Sequence, residues 1–352
     1  MPATLRYPPI WLRDNCPCPR CRDPHNGQKL FGITDLPDKL TVLDVFESPD
    51  TVAVTFGPDG HRGEFSRAWL DAHGEPDLGD HRTERAKRLW RPADLDLPVT
   101  DWPAYRDNET ERLRTLRAVR ELGFAILRGT PTVEGTVLDL AATFGHVRET
   151  NYGRLFDVRV EANPNNLAFT GRAIAPHTDN PYRDPVPTLQ LLHCLENAVD
   201  GGESGLLDGF HAAALLREED PEAFRVLTTT LVPFAWSDAG TSLRADRPLI
   251  ETDADGNVRE VRFNNRSMQA LRLPAARTDE FYRAYRRFAE IIARPELLLN
   301  FRLAAGECVI FDNTRLLHAR TAFAETGSRH LQGCYADLDG LTSTVTILEA
   351  RA

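Results

Sequence analysis

Three cysteines fall within six residues, in the run Cys16-Pro-Cys18-Pro-Arg-Cys21. No other feature constrains the fold of its segment so tightly. Thiolates hold Zn²⁺ well because both partners are soft, and four ligands close a tetrahedron. The C-x-C-x₂-C spacing is tighter than that of a zinc ribbon. Three reduced free cysteines are the bland alternative, and so dense a cluster argues against it. His25, His61 and His73 are the nearby candidates for a fourth ligand. His61 follows the turn Gly57-Pro-Asp-Gly60, from which a hairpin can swing it back to the cysteines. A closed four-ligand site has no open position, which implies a structural role. A module this small needs such a staple.

The rest of the chain reads differently. Residues 1–90 hold the cluster and the strand-like Thr51–Phe56, and read as a small β-rich zinc-binding module. Residues 91–105 contain three prolines and no helical period, and are expected as a linker. Residues 106–352 form the second expected domain. There Leu113, Leu116, Val119 and Leu122 recur at helical spacing, and further helices are expected over about 134–144 and 279–293. Short strand-like runs lie at 124–127, 188–194, 258–263, 307–311, 331–335 and 344–348. Many short strands with few helices predict a mainly β fold, a jelly roll with flanking helices.

Charge narrows the partners. The 42 Lys and Arg against 52 Asp and Glu leave a net charge of −10, which does not favour nucleic acid or an anionic membrane. No apolar run is long enough to span a bilayer. The first residues hold no apolar signal core, so a cytoplasmic location is expected.

His177-Thr-Asp179 places two ligand types two residues apart, and on extended backbone such residues share a face. His318 follows the strand-like run 307–311. Two histidines and one carboxylate on one face leave open positions, as in non-haem Fe(II) oxygenases. H-x-D pairs are common by chance, so this pair alone decides nothing. His146, His193 and His211 read as structural histidines. Arg329, 11 residues beyond His318, offers a bidentate fork for a carboxylate. A surface arginine is its plain alternative until the order H-x-D, His, Arg is taken together.

That order carries a resemblance. The C-terminal domain resembles the TauD-like Fe(II)- and 2-oxoglutarate-dependent dioxygenases. Within them, the whole chain is similar to the γ-butyrobetaine hydroxylase and trimethyllysine hydroxylase family. The resemblance rests on Trp11–Cys21, His177-Thr-Asp-Asn-Pro-Tyr182, Gln190–Cys194, Gly201-Gly-Glu-Ser204, Phe311–His318 and Ser328–Asp337, in the family's order. It implies a distorted double-stranded β-helix with an N-terminal zinc domain, as a homodimer. His177, Asp179 and His318 would bind iron. Arg329 would hold the distal carboxylate of 2-oxoglutarate, with Leu192 lining that site. Cys16, Cys18, Cys21 and His61 would hold zinc. O₂ would be consumed, with ascorbate as reductant.

The resemblance also implies a substrate class. Its aromatic cage for a trimethylammonium group matches Tyr152, Phe156, Phe169 and Tyr335, and ring faces attract such cations. Phe156 or Phe169 taken alone reads as an ordinary core residue. The family's two asparagine donors match Asn166 and Asn264 and suit a carboxylate. The expected reaction is hydroxylation of γ-butyrobetaine at C3 to L-carnitine, with succinate and CO₂. Trimethyllysine, a trimethylammonium phosphonate, or another small acid is the alternative. A non-catalytic zinc module would leave the iron and 2-oxoglutarate set without a purpose. The run Gly202-Glu-Ser204-Gly205 does not fit the G-x-S-x-G of a serine hydrolase, and no G-x-G-x-x-G supports a dinucleotide site.

Overall fold

The computed structural model describes residues 7–74, 87–160, 170–324 and 327–352. The chain divides into two compact units, Met1–Glu84 and Arg85–Ala352.

In the first unit, helix α1 (Pro9–Asp14) precedes a three-stranded antiparallel sheet of β1 (Thr41–Glu47), β2 (Thr51–Gly57) and β3 (Arg62–Ser66), followed by α2 (Arg67–His73). Strand β2 lies in the middle and is buried on both faces. The core is small: Leu12, Val52, Val54, Phe56, Phe65 and Leu70 pack with Cys16 and Cys21. Six apolar side chains are few against the entropy of ordering the unit, so a metal staple matters here.

The second unit opens with β4 (Val99–Asp101), α3 (Trp102–Asp107), α4 (Glu109–Leu122), β5 (Phe124–Arg128), α5 (Thr136–Ala142), β6 (Val147–Arg148), β7 (Phe156–Val158) and β8 (Ile174–His177). Then come β9 (Leu189–Asn197), β10 (Ser204–Asp208), α6 (Gly209–Glu219), α7 (Pro221–Thr229), and the hairpin β11 (Val232–Ser237) with β12 (Ser242–Arg247). The chain ends with β13 (Ile250–Thr252), β14 (Val258–Val261), α8 (Ala275–Ile292), β15 (Leu299–Phe301), β16 (Cys308–Asp312), β17 (Leu316–Arg320), β18 (Arg329–Ala336) and α9 (Leu338–Arg351).

Two sheets dominate. The larger runs β4-β5-β16-β9-β18-β6, with β7 also beside β18; the smaller runs β15-β10-β17-β8. The unit is mainly β with flanking helices, as expected. Among the described residues no strand pair joins the two sheets, so the jelly roll is not closed into a barrel.

Strand alternation sorts the side chains of the large sheet. Leu189 and Leu191 of β9, Cys308 and Ile310 of β16, and Cys334 and Ala336 of β18 face outward, under α4, α5 and α9. Gln190 and Leu192, and Arg329, Leu331 and Tyr335, take the other face and line a cavity. Helix α4 fits its sequence well. Asn108 accepts from the N–H of Thr110 at 2.8 Å, and Gly123 ends the helix in the left-handed region at φ +89°.

Two expectations change. The proline-rich stretch 91–105 is not a free linker: β4 pairs in parallel with β5, and Trp102 and Tyr105 are buried. Its prolines sit where helices tolerate them, Pro92 and Pro103 in first turns. The strand expected at 344–348 is part of α9. Its β-branched residues suggest a strand, but Leu341, Val345 and Leu348 lie at helical spacing and pack into the core under α4. Among the described residues no helix is long and apolar enough to cross a membrane.

Candidate functional site

The zinc-type cluster is assembled by α1, the loop after it and the β2–β3 turn. The Nε2 of His61 lies 3.3, 3.7 and 3.5 Å from the sulfurs of Cys16, Cys18 and Cys21. Zn–S bonds near 2.3 Å and Zn–N bonds near 2.05 Å at tetrahedral angles give an edge of about 3.6 Å, so a zinc ion fits these four atoms. Arg13 donates to the sulfur of Cys21 at 3.1 Å, setting a cation against the thiolate-rich group. His25 and His73 are not part of the cluster.

The second cluster lies in the cavity between the two sheets. His177 ends β8 and His318 lies in β17, and the two are directly paired across the strands. Their rings are 4.1 Å apart between centroids. Asp179 lies beyond the end of β8, where Asn180 at φ +56° turns the chain. The i, i+2 argument therefore holds in outcome though Asp179 is past the strand. Asn313 fixes it there: its carbonyl accepts the Asp179 N–H at 2.8 Å, and its amide donates to the Asp179 carbonyl at 3.0 Å. The Nε2 atoms of His177 and His318 lie 3.4 and 3.7 Å from the two carboxylate oxygens of Asp179.

Protonation suits a metal. The Nδ1 of His177 is 2.9 Å from the Ala175 carbonyl, which fixes the proton there and leaves a lone pair on Nε2. Burial pushes His318 down to about 3, and His177 adds to the shift, so His318 is neutral at pH 7. Burial would raise the carboxyl of Asp179, but His318, His177 and Arg266 together hold it well below the usual range. Two imidazoles and one carboxylate form the donor set that non-haem iron takes, and these atoms lie within 4.8 Å of one another. The set fits Fe(II).

Arg329 begins β18 and is buried, with its Nε and one terminal nitrogen lacking any partner among the described residues. A buried guanidinium with free N–H groups calls for an anion. Its other terminal nitrogen lies 3.5 Å from the carbonyl of Gly202. Gly202 has φ +67°, and a Cβ there would lie 3.1 Å from the Arg329 Nε. Leu192 lines the same cavity.

The aromatic residues form a continuous wall. Phe156 is 5.1 Å from Tyr335 and 6.3 Å from Tyr152 between ring centroids. The hydroxyl of Tyr335 donates to Asp179 at 3.1 Å, tying this wall to the metal set. Phe169 and Asn166 lie outside the described residues. Asn264 lines the cavity, but its amide donates to the Thr178 carbonyl at 2.9 Å and its oxygen accepts from the Arg266 N–H at 3.1 Å. Among the described residues one N–H of that amide has no partner and is left for a ligand.

Sequence reading missed Trp236 and Tyr182, which extend the wall. Trp236 is 5.8 Å from Tyr152 and 6.0 Å from Tyr182. Nothing local marks Trp236, which reaches the cavity through the β11–β12 hairpin. Tyr182 stood in the quoted run after Asp179 without a role.

A cavity between β-sheets, with a two-histidine, one-carboxylate face and a buried arginine, is the build of a non-haem iron oxygenase. The chain belongs to the taurine catabolism dioxygenase TauD, TfdA family, which it matches over residues 83–335. Residues 2–71 match the gamma-butyrobetaine hydroxylase-like N-terminal family. The chain is 39% identical to the gamma-butyrobetaine dioxygenase of Pseudomonas sp. (strain AK-1), over 97% of this chain and 90% of that protein. It is 32% identical to the Homo sapiens protein of the same name, over 98% and 92%. A trimethyllysine dioxygenase of Meyerozyma guilliermondii is 29% identical over 98% and 91%. In fold, the chain is similar to an asparagine oxygenase structure at TM-score 0.50 and 19% identity, covering 67% of this chain and 83% of that one.

Proposed function

We propose that the chain is an Fe(II)- and 2-oxoglutarate-dependent dioxygenase that hydroxylates γ-butyrobetaine at C3, giving L-carnitine. The observation that carries this is the aromatic wall of Tyr152, Phe156 and Tyr335 in one cavity of about 400 Å³ with His177, Asp179 and His318. Ring faces attract a trimethylammonium group by about 0.5–2 kcal/mol per contact. A relative of that name at 39% identity over nearly the whole chain supports the same reading.

His177, Asp179 and His318 would hold the iron, and Arg329 the distal carboxylate of 2-oxoglutarate beside Leu192. Bound Fe(II) and 2-oxoglutarate supply the O₂ chemistry that hydroxylates an unactivated C–H bond, with succinate and CO₂ as co-products. The chain supplies position. The cage fixes the cationic end, Tyr335 joins that wall to Asp179, and the carbon to be hydroxylated is held at the metal face. Phe169, Asn166 and the remaining N–H of Asn264 belong to the same proposal as substrate contacts. Trimethyllysine carries an ammonium as well, and the only carboxylate among the described lining residues is Asp179.

Cys16, Cys18, Cys21 and His61 would hold a structural zinc ion in an N-terminal domain. The homodimer and the cytoplasmic location are part of the proposal, and light scattering tests the dimer.

The deciding assay measures succinate and hydroxylated product with Fe(II), ascorbate and 2-oxoglutarate. γ-Butyrobetaine, trimethyllysine, a trimethylammonium phosphonate and no substrate are compared. Stoichiometric succinate and carnitine from γ-butyrobetaine are expected. Turnover of another quaternary amine alone would move the headgroup assignment. No turnover by iron-loaded protein would refute the betaine reading.

A further inference from the structure

The loop that follows the metal ligand Asp179 is fastened by side chains from three other segments. Asn313 bonds its start at Asp179 and its end at the Pro187 carbonyl, the latter at 3.0 Å. Near the far end, Arg148 donates to the carbonyls of Pro185 and Val186 at 2.6 and 2.9 Å. Between these points, Nη1 of Arg262 donates to the carbonyls of Pro181 and Arg183 at 2.9 and 3.0 Å. The residue flanked by those two carbonyls is Tyr182. Arg262 itself is buried and lies outside the cavity lining.

Tyr182 sits in a tight turn. The Arg183 N–H donates to the Asn180 carbonyl at 3.0 Å, and Pro181 takes the first inner position, which its fixed φ suits. From this turn Tyr182 lines the cavity and joins the aromatic wall at its centre. Its ring stacks on Trp236 at 6.0 Å. Its hydroxyl lies 3.2 Å from that of Tyr152 and donates to Asn180 at 3.0 Å. Arg183 ties the turn to Asn151, the neighbour of Tyr152, at 2.7 Å. Arg262 is held in its own place. Its Nε donates to the largely buried carboxylate of Glu260, and its N–H donates to the Leu249 carbonyl at 2.9 Å. A planar guanidinium fixed on one side and bonded to two carbonyls on the other leaves the turn little freedom.

We propose that Arg262 is a positioning residue for substrate recognition. By gripping the backbone on both sides of Tyr182, it sets where that ring, with Trp236 and Tyr152 against it, meets the cationic end of the substrate. This rests on the γ-butyrobetaine reading above and adds to it a residue that touches no ligand. The metal ligands are held independently. Asn313 fixes Asp179, and His177 and His318 are paired across β8 and β17. Arg148 keeps the far end of the loop. Loss of the Arg262 grip therefore frees Tyr182 and leaves the iron and 2-oxoglutarate positions in place. Cation–π attraction depends on where the ring face lies, so a displaced ring binds the substrate less well.

The test is steady-state turnover of γ-butyrobetaine, with KM for substrate, KM for 2-oxoglutarate and the Fe(II) activation constant measured for each variant. Replacing Arg262 alone by a neutral residue would strand the Glu260 carboxylate, so the pair is replaced together, Glu260→Gln with Arg262→Gln. Substrate KM should rise about 3- to 30-fold, the range of one cation–π contact, with the other two constants within about twofold. Arg262→Lys keeps the charge beside Glu260 but lacks the fork, and should raise substrate KM by a smaller factor. Tyr182→Leu should raise it as well. Adding the paired change to Tyr182→Leu should then add less than about twofold, because both act through one ring. Full additivity would place the action of Arg262 elsewhere and overturn the proposal. So would an equal rise in the 2-oxoglutarate or Fe(II) constant, or an unchanged substrate KM in both Arg262 variants. Wild-type protein that does not turn over γ-butyrobetaine would instead defeat the function on which the proposal rests.

Discussion

Tyr335→Phe separates two jobs that one side chain performs. The ring stays in the cage, 5.1 Å from Phe156, while the hydroxyl that donates to Asp179 at 3.1 Å is removed. A hydrogen bond to a charged acceptor contributes about 1.5–3 kcal/mol, and a partner removed from a metal ligand costs about 10- to 100-fold in metal affinity. The cation–π face is unchanged, so substrate KM should move by less than about threefold. The expected result is an Fe(II) activation constant raised about 10- to 100-fold, with faster loss of iron on dialysis. Tyr335→Leu should raise both constants. The assay is succinate release titrated with Fe(II) and then with substrate, with iron content read by atomic spectroscopy. An unchanged iron constant with a raised substrate KM in Tyr335→Phe would refute the idea that the hydroxyl positions Asp179.

Gly333 pairs with Phe156 across β18 and β7, and a Cβ there would lie 2.5 Å from the Phe156 ring. Gly333→Ala should therefore displace that ring and raise substrate KM about 3- to 30-fold with little change for 2-oxoglutarate, as steady-state kinetics will show. Gly202→Ala should do the reverse: a left-handed residue and a Cβ 3.1 Å from the Arg329 Nε should raise 2-oxoglutarate KM about tenfold. Metal analysis should find one zinc per chain, lost in Cys21→Ser. Because structural zinc supplies about 10 kcal/mol or more of folding free energy in small modules, that variant should be cut by trypsin within residues 7–74 where wild type resists.

Features encoded by adjacent residues were legible in the sequence. Cys16, Cys18 and Cys21 lie in one loop, and His177 and Asp179 sit either side of one residue. Their chemistry shows in their spacing. Helix α4 was legible because Leu113, Leu116 and Val119 repeat at its period. The strand expected at 344–348 failed because local β-propensity is weak against tertiary packing, and α9 buries every third or fourth residue. The linker failed because proline marks a helix start as well as a break. Trp236, Arg266 and Asn313 stayed hidden for a different reason. They come from segments 57, 87 and 134 residues away from Asp179, and only the completed fold brings them to it.

The placement of these groups divides the site by function. His177, His318 and Arg329 stand on paired strands of the two sheets, where each is fixed by ladder hydrogen bonds. The groups proposed to face the substrate come largely from other elements: Tyr152 from a turn, Phe156 from the three-residue β7, Trp236 from a hairpin. Such segments accept substitution at lower cost than a sheet core. A family built this way can keep its metal chemistry while its substrate changes. Tyr335 is the exception, because it sits on a central strand and touches both halves. Substitution there disturbs the metal ligand and the cage together. A shift of substrate in this chain is therefore expected to begin at Trp236 on the β11–β12 hairpin, with Tyr335 left in place.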